Sequence, residues 1–237
     1  MLHLPTPDST RISEIFSSLQ GEGTHLGERH LFIRFEECHI HCGYCDELEK
    51  VGVSMTLDQV MEEVRRLEKE EGPHSYVSLT GGEPLLYLAF IKPLMARLKA
   101  EHFKIYLETN GILWPALGDV IGWCDCIAMD MKPASVTKEK NFDDEHRRFL
   151  EIAKAKETFI KIIISRDIRV SEFEDEIRIV AQIAPEIPVI LVPISTELEG
   201  HEDPDLMALL IQLQRVALRF IPNLRIVPRF HKILNIR

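Results

Sequence analysis

The feature that most constrains the fold is a repeated alternation of short apolar segments with longer amphipathic ones. The predicted strands lie at 31–35, 76–79, 104–108, 126–129, 159–164, 189–192 and 225–227. The predicted helices lie between them, at about 56–72, 88–102, 144–155, 171–183 and 205–220. Nearly continuous apolar strands separated by amphipathic helices indicate a parallel sheet with both faces covered. We therefore predict an α/β fold, although periodicity alone does not separate an open sheet from a barrel.

The bulk composition limits the classes of function. The chain has 237 residues, 45% of them hydrophobic and 28% charged, and it contains no internal repeat or linker, so we predict a single domain over 1–237. A net charge of -10 argues against sequence-independent nucleic-acid binding, which needs basic residues to neutralise phosphates. No apolar run approaches the roughly 20 residues of a membrane span. The first residues also lack a signal-peptide pattern. We expect a cytoplasmic protein that does not bind membranes.

Three of the five cysteines lie within eight residues, directly after the first predicted strand. Cys38, Cys42 and Cys45 form the pattern C-x-x-x-C-x-x-C. This crowding argues against a secreted disulfide framework and favours a metal or redox role. Closely spaced thiolates hold iron–sulfur clusters, and three thiolates on four irons leave one iron open to an outside ligand. The alternative is a zinc site that His39 or His41 completes.

A second motif, Thr-Gly-Gly-Glu-Pro at 80–84, follows the second predicted strand. Glycines at a strand end allow the backbone to approach a ligand closely. In α/β folds, ligands usually bind at the carboxyl ends of the strands. The motif is weak alone, but together with the cysteine loop it predicts a ligand site at that edge of the sheet.

These two motifs resemble those of the radical S-adenosylmethionine superfamily. The resemblance implies a [4Fe–4S] cluster on Cys38, Cys42 and Cys45, with S-adenosylmethionine chelating the open iron. It also implies that Gly81-Gly82-Glu83 supports the methionine amino group, and that reduction of the cluster yields a 5′-deoxyadenosyl radical. The implied fold is a partial, open (βα) barrel with the cluster at its mouth.

Further motifs resemble the 7-carboxy-7-deazaguanine synthase family. The segment 18–23, Ser-Leu-Gln-Gly-Glu-Gly, resembles the S-x-Q-G-E-G element of that family. Arg34 resembles its substrate-carboxylate arginine, and 130–133, Asp-Met-Lys-Pro, resembles the segment near S-adenosylmethionine. Residues 230–232, Phe-His-Lys, resemble the C-terminal element that closes over the substrate. The resemblance extends over about 12–237.

The family contracts the ring of 6-carboxy-5,6,7,8-tetrahydropterin to 7-carboxy-7-deazaguanine with loss of ammonia, in queuosine biosynthesis. The resemblance implies a carbon–nitrogen lyase that forms a homodimer and takes electrons from a flavodoxin or ferredoxin. A guanidinium such as that of Arg34 can bind a carboxylate through two hydrogen bonds. The implied substrate-binding residues are Leu19, Gln20, Gly21, Glu22, Arg34, Thr80, His231 and the terminal carboxylate of Arg237. The implied cofactor-binding residues are Gly81, Gly82, Glu83, Asp130, Met131 and Lys132.

Three positions depart from the family pattern. Glu47 stands where a threonine or serine usually helps to bind magnesium, and a carboxylate is also a ligand for hard cations. Val192 and Arg229 each replace a usual glutamine. These departures concern the use of magnesium and the fit of the substrate, and they leave the predicted cluster unchanged.

Two other functions remain open at this point. A glycyl-radical activating enzyme shares the cysteine spacing but acts on a partner protein, and it has no reason to keep the 18–23 element, Arg34 and the C-terminal His-Lys together. A zinc-stabilised, non-catalytic binding protein would be colourless and would contain zinc. Release of 5′-deoxyadenosine with a small pterin acid distinguishes the synthase from the activating enzyme.

Overall fold

The computed structural model describes residues 9–45, 51–194 and 203–236. Within these ranges, nine strands form one open sheet in the order β3-β1-β2-β4-β5-β6-β7-β8-β9. The strands are β1 Ser9–Leu19, β2 Arg29–Phe35, β3 Val53–Thr56, β4 Tyr76–Gly81, β5 Ile105–Thr109, β6 Cys126–Met131, β7 Glu157–Ile164, β8 Val189–Pro193 and β9 Leu224–Ile226. The sheet is parallel from β2 to β9, whereas β1 pairs antiparallel with both β2 and β3.

Helices connect the parallel strands. They are α1 Leu57–Glu71, α2 Leu88–Ala100, α3 Trp114–Val120, α4 Ala134–Thr137, α5 Asp143–Ala153, α6 Val170–Ile183, α7 Pro204–Ala217 and α8 Phe230–Ile233. Short 3-10 turns lie at Gly23–His25, Pro84–Tyr87 and Ile121–Trp123. Among the helices in the described ranges, none combines the length and the apolarity that a membrane span needs.

The predicted α/β class and the open sheet are confirmed, but the prediction of a purely parallel sheet is wrong at one edge. The strands β1 and β3 were not predicted, because polar and half-exposed residues interrupt their alternation. The element at 18–23 therefore does not merely precede the first strand. Its first two residues end β1, and the rest begins the connector to β2. Three short helices, α3, α4 and α8, were also missed.

The predicted start of α1 is confirmed at Thr56. The Thr56 hydroxyl accepts a hydrogen bond from the backbone N–H of Gln59 at 3.3 Å, and the Gln59 side chain accepts one from the Thr56 N–H at 2.8 Å. This reciprocal pair is a capping box, and an N-cap of this kind is worth about 1 kcal/mol. The helix ends at Glu71 with Gly72 as its C-cap, which confirms the predicted end near Gly72.

The core lies between the sheet and the helices that cover it. Every residue of β8 is buried, and β7 is buried from its second residue onward. Apolar side chains of α1 and α2, such as Val64 and Leu94, pack against this sheet without exposed surface. Because β2 and β4 to β7 run parallel, their carboxyl ends meet at one edge. The loops that carry the predicted site therefore follow directly from the buried strands of the sheet.

Candidate active site

Two adjoining cavities lie where the carboxyl ends of the parallel strands meet. We call the first the polar cavity; its lining includes Gln20, Glu22 and Arg34. We call the second the cysteine cavity; its lining includes the three cysteines of the loop after β2. The residues that line both cavities are Tyr44, Thr80, Gly81, Glu108, Asp130, Lys132, Lys161 and Arg229. A group bound at the cysteines and a ligand in the polar cavity would therefore share one set of neighbours.

One wall of the polar cavity is a set of hydrogen bonds centred on Glu108 at the end of β5. The Gln20 side-chain amide donates to Glu108 Oε1 at 2.8 Å, and the Thr80 hydroxyl donates to Glu108 Oε2 at 2.9 Å. The backbone N–H of Glu22 in turn donates to Gln20 Oε1 at 3.1 Å. These contacts fix which end of the Gln20 amide is the donor. They bring together Gln20, Glu22 and Thr80, all predicted substrate contacts.

A second part of the cavity lining is a buried row of alternating charges. Lys161 Nζ lies 2.8 Å from Glu22 Oε2 and 3.4 Å from Asp130 Oδ1, and Lys132 Nζ lies 2.7 Å from Asp130 Oδ2. Arg229 Nε lies 3.3 Å from Glu22 Oε1. Each buried charge therefore has a partner of opposite sign, which is the condition under which buried charges are tolerated.

The electrostatics keep these groups ionised. Burial opposes ionisation of Glu22, but the charges of Lys161 and Arg229 outweigh it and hold the pKa of Glu22 at about 2. Burial also opposes ionisation of Asp130, and Lys132 and Lys161 outweigh it, so the pKa of Asp130 lies below its ordinary value. Burial lowers and Asp130 raises the pKa of Lys132, with a net rise. At neutral pH the row presents fixed charges to a ligand.

The C-terminal helix α8 packs onto the connector between β1 and β2. The Phe230 N–H donates to the Gly21 carbonyl oxygen at 2.9 Å. A β-carbon at Gly21 would lie 2.1 Å from Nδ1 of His231, so only glycine allows this approach. His231 also lines the polar cavity, as predicted for a substrate contact.

Arg34 lies on β2 and lines the polar cavity. Its guanidinium carbon is 5.4 Å from the centroid of the Phe16 ring, and Phe16 stacks on Phe32 at 5.0 Å. This aromatic pair supports the flat guanidinium from one side. Leu19, which precedes the connector, lines the same cavity.

The cysteine loop presents three thiols of different burial. Cys42 is buried, Cys38 is half-buried and Cys45 is exposed, and none forms a disulfide. Cys42 packs with Ile40 and Phe142 in a small apolar cluster that holds the loop against the body of the protein. Burial raises the pKa of the Cys38 and Cys42 thiols, and a bound metal group would favour their thiolate forms.

The cysteine loop can hold a metal group. Cys38, Cys42 and Cys45 all line the cysteine cavity, so one group bound there can reach the three thiols. Three thiolates on four irons leave one iron open to an outside ligand in the same cavity.

The two glycines after β4 allow a close approach of the protein to itself. Gly81 has a φ of +113°. A β-carbon at Gly82 would lie 2.1 Å from the Glu37 carbonyl oxygen. The Gly82 N–H donates to the Phe35 carbonyl at 2.9 Å, which joins this turn to the segment that leads into Cys38. Both glycines line the cysteine cavity, so the predicted nearness to a ligand is also available.

Glu83 lies behind the site. Its carboxylate is fully buried and accepts hydrogen bonds from the Asn110 N–H at 2.8 Å, the Thr109 hydroxyl at 3.0 Å and the Leu85 N–H at 3.0 Å. Burial raises the pKa of Glu83 to about 7 despite these bonds. Neither cavity includes Glu83 in its lining, so its side chain holds the turns after β4 and β5 together. Met131 is likewise buried and lies outside both linings.

Sequence reasoning missed Tyr44, Glu108, Asn110 and Lys161. Glu108 and Lys161 are single charged residues inside otherwise apolar strands, and that contrast is the signal that could have found them. Asn110 follows β5 and places its side-chain nitrogen 3.7 Å from the Cys38 sulfur. Tyr44 follows Gly43 in the cysteine loop and had no distinguishing pattern.

The remaining predicted positions are Glu47, Arg237, Val192 and Arg229. Glu47 and Arg237 lie outside the described residues. Val192 is buried within β8 and does not line the cavities, whereas Arg229 lines both of them. Of the two replaced glutamines, only Arg229 therefore lies where it could change the fit of a ligand.

Comparisons with known proteins agree with this geometry. The family model of the Radical SAM superfamily matches residues 32–163, more than half of the chain. The chain is 35% identical to 7-carboxy-7-deazaguanine synthase of Geobacter sulfurreducens, over 94% of this chain and 96% of the relative. It is 29% identical to the protein of the same name from Methanopyrus kandleri, over 98% and 95%. The fold is similar to the crystal structure of QueE from Escherichia coli, with a TM-score of 0.63, 20% identity, and coverage of 94% of this chain and 95% of that one. The chain belongs to the 7-carboxy-7-deazaguanine synthase family of the radical S-adenosylmethionine superfamily.

Proposed function

We propose that the protein converts 6-carboxy-5,6,7,8-tetrahydropterin to 7-carboxy-7-deazaguanine with loss of ammonia, as a carbon–nitrogen lyase in queuosine biosynthesis. The observation that carries this proposal is the continuity of the polar cavity with the cysteine cavity. A substrate held by Gln20, Glu22 and Arg34 would lie next to any group bound at Cys38, Cys42 and Cys45. The family membership of the chain supports the same reaction.

The cofactor residues have separate tasks. Cys38, Cys42 and Cys45 would hold the [4Fe–4S] cluster, while Gly81 and Gly82 would offer backbone groups to S-adenosylmethionine. When bound, the cluster and S-adenosylmethionine supply the radical chemistry that removes a hydrogen atom from the substrate carbon bearing the carboxylate. Glu83 positions this wall without entering the cavity.

Asp130 and Lys132 line the cysteine cavity together with Gly81 and Gly82. Their mutual ion pair at 2.7 Å keeps the Lys132 ammonium in place at the boundary of the two cavities. The Lys132 Nζ is 3.4 Å from the Tyr44 hydroxyl, which extends this contact to the cysteine loop. We assign Lys132 to the carboxylate of S-adenosylmethionine, because its ammonium lines both cavities and is the shared positive charge that contacts the cysteine loop through Tyr44.

The polar cavity suits a pterin acid. The Arg34 guanidinium can bind the substrate carboxylate through two hydrogen bonds. Glu22 stays ionised and can accept hydrogen bonds from the amino and N–H groups of the pterin edge, while Gln20 offers an amide. Lys161 holds Glu22 at 2.8 Å, so the acceptor keeps its direction when the substrate enters. These residues bind and orient the substrate, and their charges stay fixed at neutral pH.

We further propose that α8 and the residues around it close over the bound substrate. The contact of Phe230 with Gly21 supports this role, because it places His231 against the connector that carries Gln20 and Glu22. This part of the chain would then exclude water from the reacting carbon. We also propose that residues 1–237 form one domain that includes this closing segment.

Other parts of the proposal follow from the family resemblance. A magnesium ion would bind near Glu47, since carboxylates are ligands for hard cations. Electrons would come from a flavodoxin or ferredoxin, and two copies of the chain would form a homodimer. A cytoplasmic location fits five cysteines without a disulfide among them. Turnover with and without added magnesium, and the mass of the protein in solution, test the first and third of these points.

The experiment that tests the proposed substrate compares two pterins. Protein reconstituted anaerobically with iron and sulfide is given reductant, S-adenosylmethionine and either the 6-carboxy or the 6-methyl tetrahydropterin. We expect a deazaguanine product only from the carboxy compound, and a loss of at least about 100-fold in kcat/KM in Arg34→Gln, because an interaction with a charged group contributes roughly 3 kcal/mol. Equal processing of the two pterins would rule out the assigned role of Arg34.

A further inference from the structure

Away from the two cavities, three side chains from two helices converge on one point. Asp143 and His146 lie one turn apart at the start of α5, and Glu176 lies on α6. One ligand atom from each of these residues lies within 4.8 Å of the other two. His146 has no exposed surface and Glu176 has 1%. Asp143 is half-buried, so two of the three side chains are closed off from solvent and the third is partly accessible.

The tautomer of His146 is fixed by its neighbour. His146 Nε2 lies 3.3 Å from the backbone carbonyl oxygen of Asn110. A carbonyl oxygen can only accept a hydrogen bond, so Nε2 carries the hydrogen and Nδ1 carries the lone pair. Metal-binding histidines show this arrangement, in which the outer nitrogen donates to an oxygen and the inner nitrogen faces the ion.

Two buried atoms of this group lack any hydrogen-bond partner among the described residues, namely His146 Nδ1 and Glu176 Oε2. Buried polar atoms are nearly always satisfied, and a buried carboxylate also needs a compensating charge. A proton on Glu176 would supply a donor for Nδ1, yet the two atoms do not form that bond here. A cation between them would satisfy both atoms, and it could also bind Asp143, whose carboxylate accepts a hydrogen bond from the Asn141 side-chain amide at 2.9 Å.

We propose that Asp143, His146 and Glu176 form a binding site for a divalent transition-metal ion of the zinc type, separate from the cysteine loop. Imidazole nitrogen and carboxylate oxygen are ordinary zinc ligands, and two ligand atoms each about 2.1 Å from the ion lie about 3.4 Å apart at the tetrahedral angle. The ligand atoms of the three side chains already lie within 4.8 Å of one another, which is close to that separation.

An ion at this location would stabilise the turn after β5. His146 contacts the Asn110 carbonyl, and the side chain of Asn110 lies 3.7 Å from the Cys38 sulfur. An ion bound by α5 and α6 would therefore fasten the turn after β5, which supports the cysteine loop. The proposed ion has a structural role and takes no part in the reaction. The metal-site proposal therefore does not depend on the identity of the substrate.

The test uses protein whose cysteine loop already carries its reconstituted cluster. Zinc is titrated by calorimetry, the bound metal is counted, and the ligand shell is read from the zinc X-ray absorption edge. We expect one zinc ion with a shell of nitrogen and oxygen atoms only, and a rise in Tm on binding. Absence of zinc binding, or sulfur atoms in the shell, would overturn the proposal.

Variants locate the ion on these three side chains. His146→Gln keeps a donor for the Asn110 carbonyl and loses Nδ1, and Glu176→Gln removes the carboxylate. We expect each to weaken zinc binding at least about tenfold. Asp143→Asn should do the same, whereas Asp144→Asn, at the next and exposed position of the same helix turn, should bind zinc like the unaltered chain. Equal weakening in both asparagine variants would contradict the site, and the wild-type titration decides the matter if a variant fails to fold.

Discussion

The Lys161 ammonium lies 2.8 Å from the Glu22 carboxylate, although 139 positions separate the two residues in the chain. Lys161 is on β7, five strands away from β1 in the sheet, and Glu22 is in the connector that leaves β1 at the antiparallel edge. The contact therefore draws the connector across to the ends of the parallel strands. As a result, the connector residues Gln20, Gly21 and Glu22 line the polar cavity.

Removal of the Lys161 charge should be costly. In Lys161→Met, Glu22 and Asp130 keep buried negative charges with fewer partners. Breaking a buried pair by removing one partner costs about 3–5 kcal/mol. We expect a loss of unfolding free energy of that order in chemical denaturation, with weaker substrate binding. Lys154 is an exposed lysine three residues before β7. Lys154→Met should leave the unfolding free energy and substrate binding unchanged.

The depressed pKa of Glu22 predicts a pH dependence of stability. The folded-state pKa is about 2 and the ordinary value is 4.5, so the contribution to stability is present above pH 4.5 and is lost as the pH falls toward 2. We expect Glu22→Gln to lie about 3 kcal/mol below the unaltered protein at pH 7 and about 2 kcal/mol below it at pH 3.5. Denaturation curves at the two pH values measure this gap. A gap that widened on acidification would contradict the assigned ion pair.

The predictable and unpredictable parts of the site differ in their physical origin. Cys38, Cys42, Gly81 and Gly82 are local motifs next to strands that periodicity identifies, so their meeting at one edge follows from a parallel sheet. The partners of Glu22 could not be predicted in this way, because they depend on how the connector crosses the sheet.

The fold shows the same division. The helix α1 was predicted from Thr56 to Gly72, since its cap and its apolar face are both local signals. The strands β1 and β3 were missed because they lack a continuous apolar run, and their pairing depends on contacts distant in sequence. The buried position of Glu83 likewise could not be read from the Gly-Gly-Glu motif, because its partners Thr109 and Asn110 belong to the next strand.

Gly21 should tolerate no side chain. In Gly21→Ala, the new methyl group would lie 2.1 Å from His231 Nδ1 and would push α8 away from the connector. We expect a rise in KM of at least about tenfold, with iron content unchanged, because binding energy is lost at a site remote from the cysteines. Gly118→Ala is the matched control: it has open space around it in α3, and alanine favours the helix by up to about 1 kcal/mol. Normal KM values in both variants would refute the closing role of α8.

Gly82 should be needed for the cluster itself. In Gly82→Ala, the methyl group would lie 2.1 Å from the Glu37 carbonyl, so the segment leading into Cys38 must move. We expect most of the iron bound after reconstitution to be lost, as measured by metal analysis and visible absorbance. Gly122→Ala, which meets no atom within 4 Å, should reconstitute normally. Full iron content in Gly82→Ala would show that the cysteine loop does not depend on this contact.

The central claim is that chemistry at the three cysteines acts on a substrate in the adjoining polar cavity. The most direct measurement is mass-spectrometric detection of 7-carboxy-7-deazaguanine from reconstituted protein, reductant, S-adenosylmethionine and 6-carboxytetrahydropterin, beside the same reaction with Cys42→Ala. The proposed function predicts product from the unaltered chain and none from the variant. Absence of product from protein that carries its cluster and cleaves S-adenosylmethionine would contradict it.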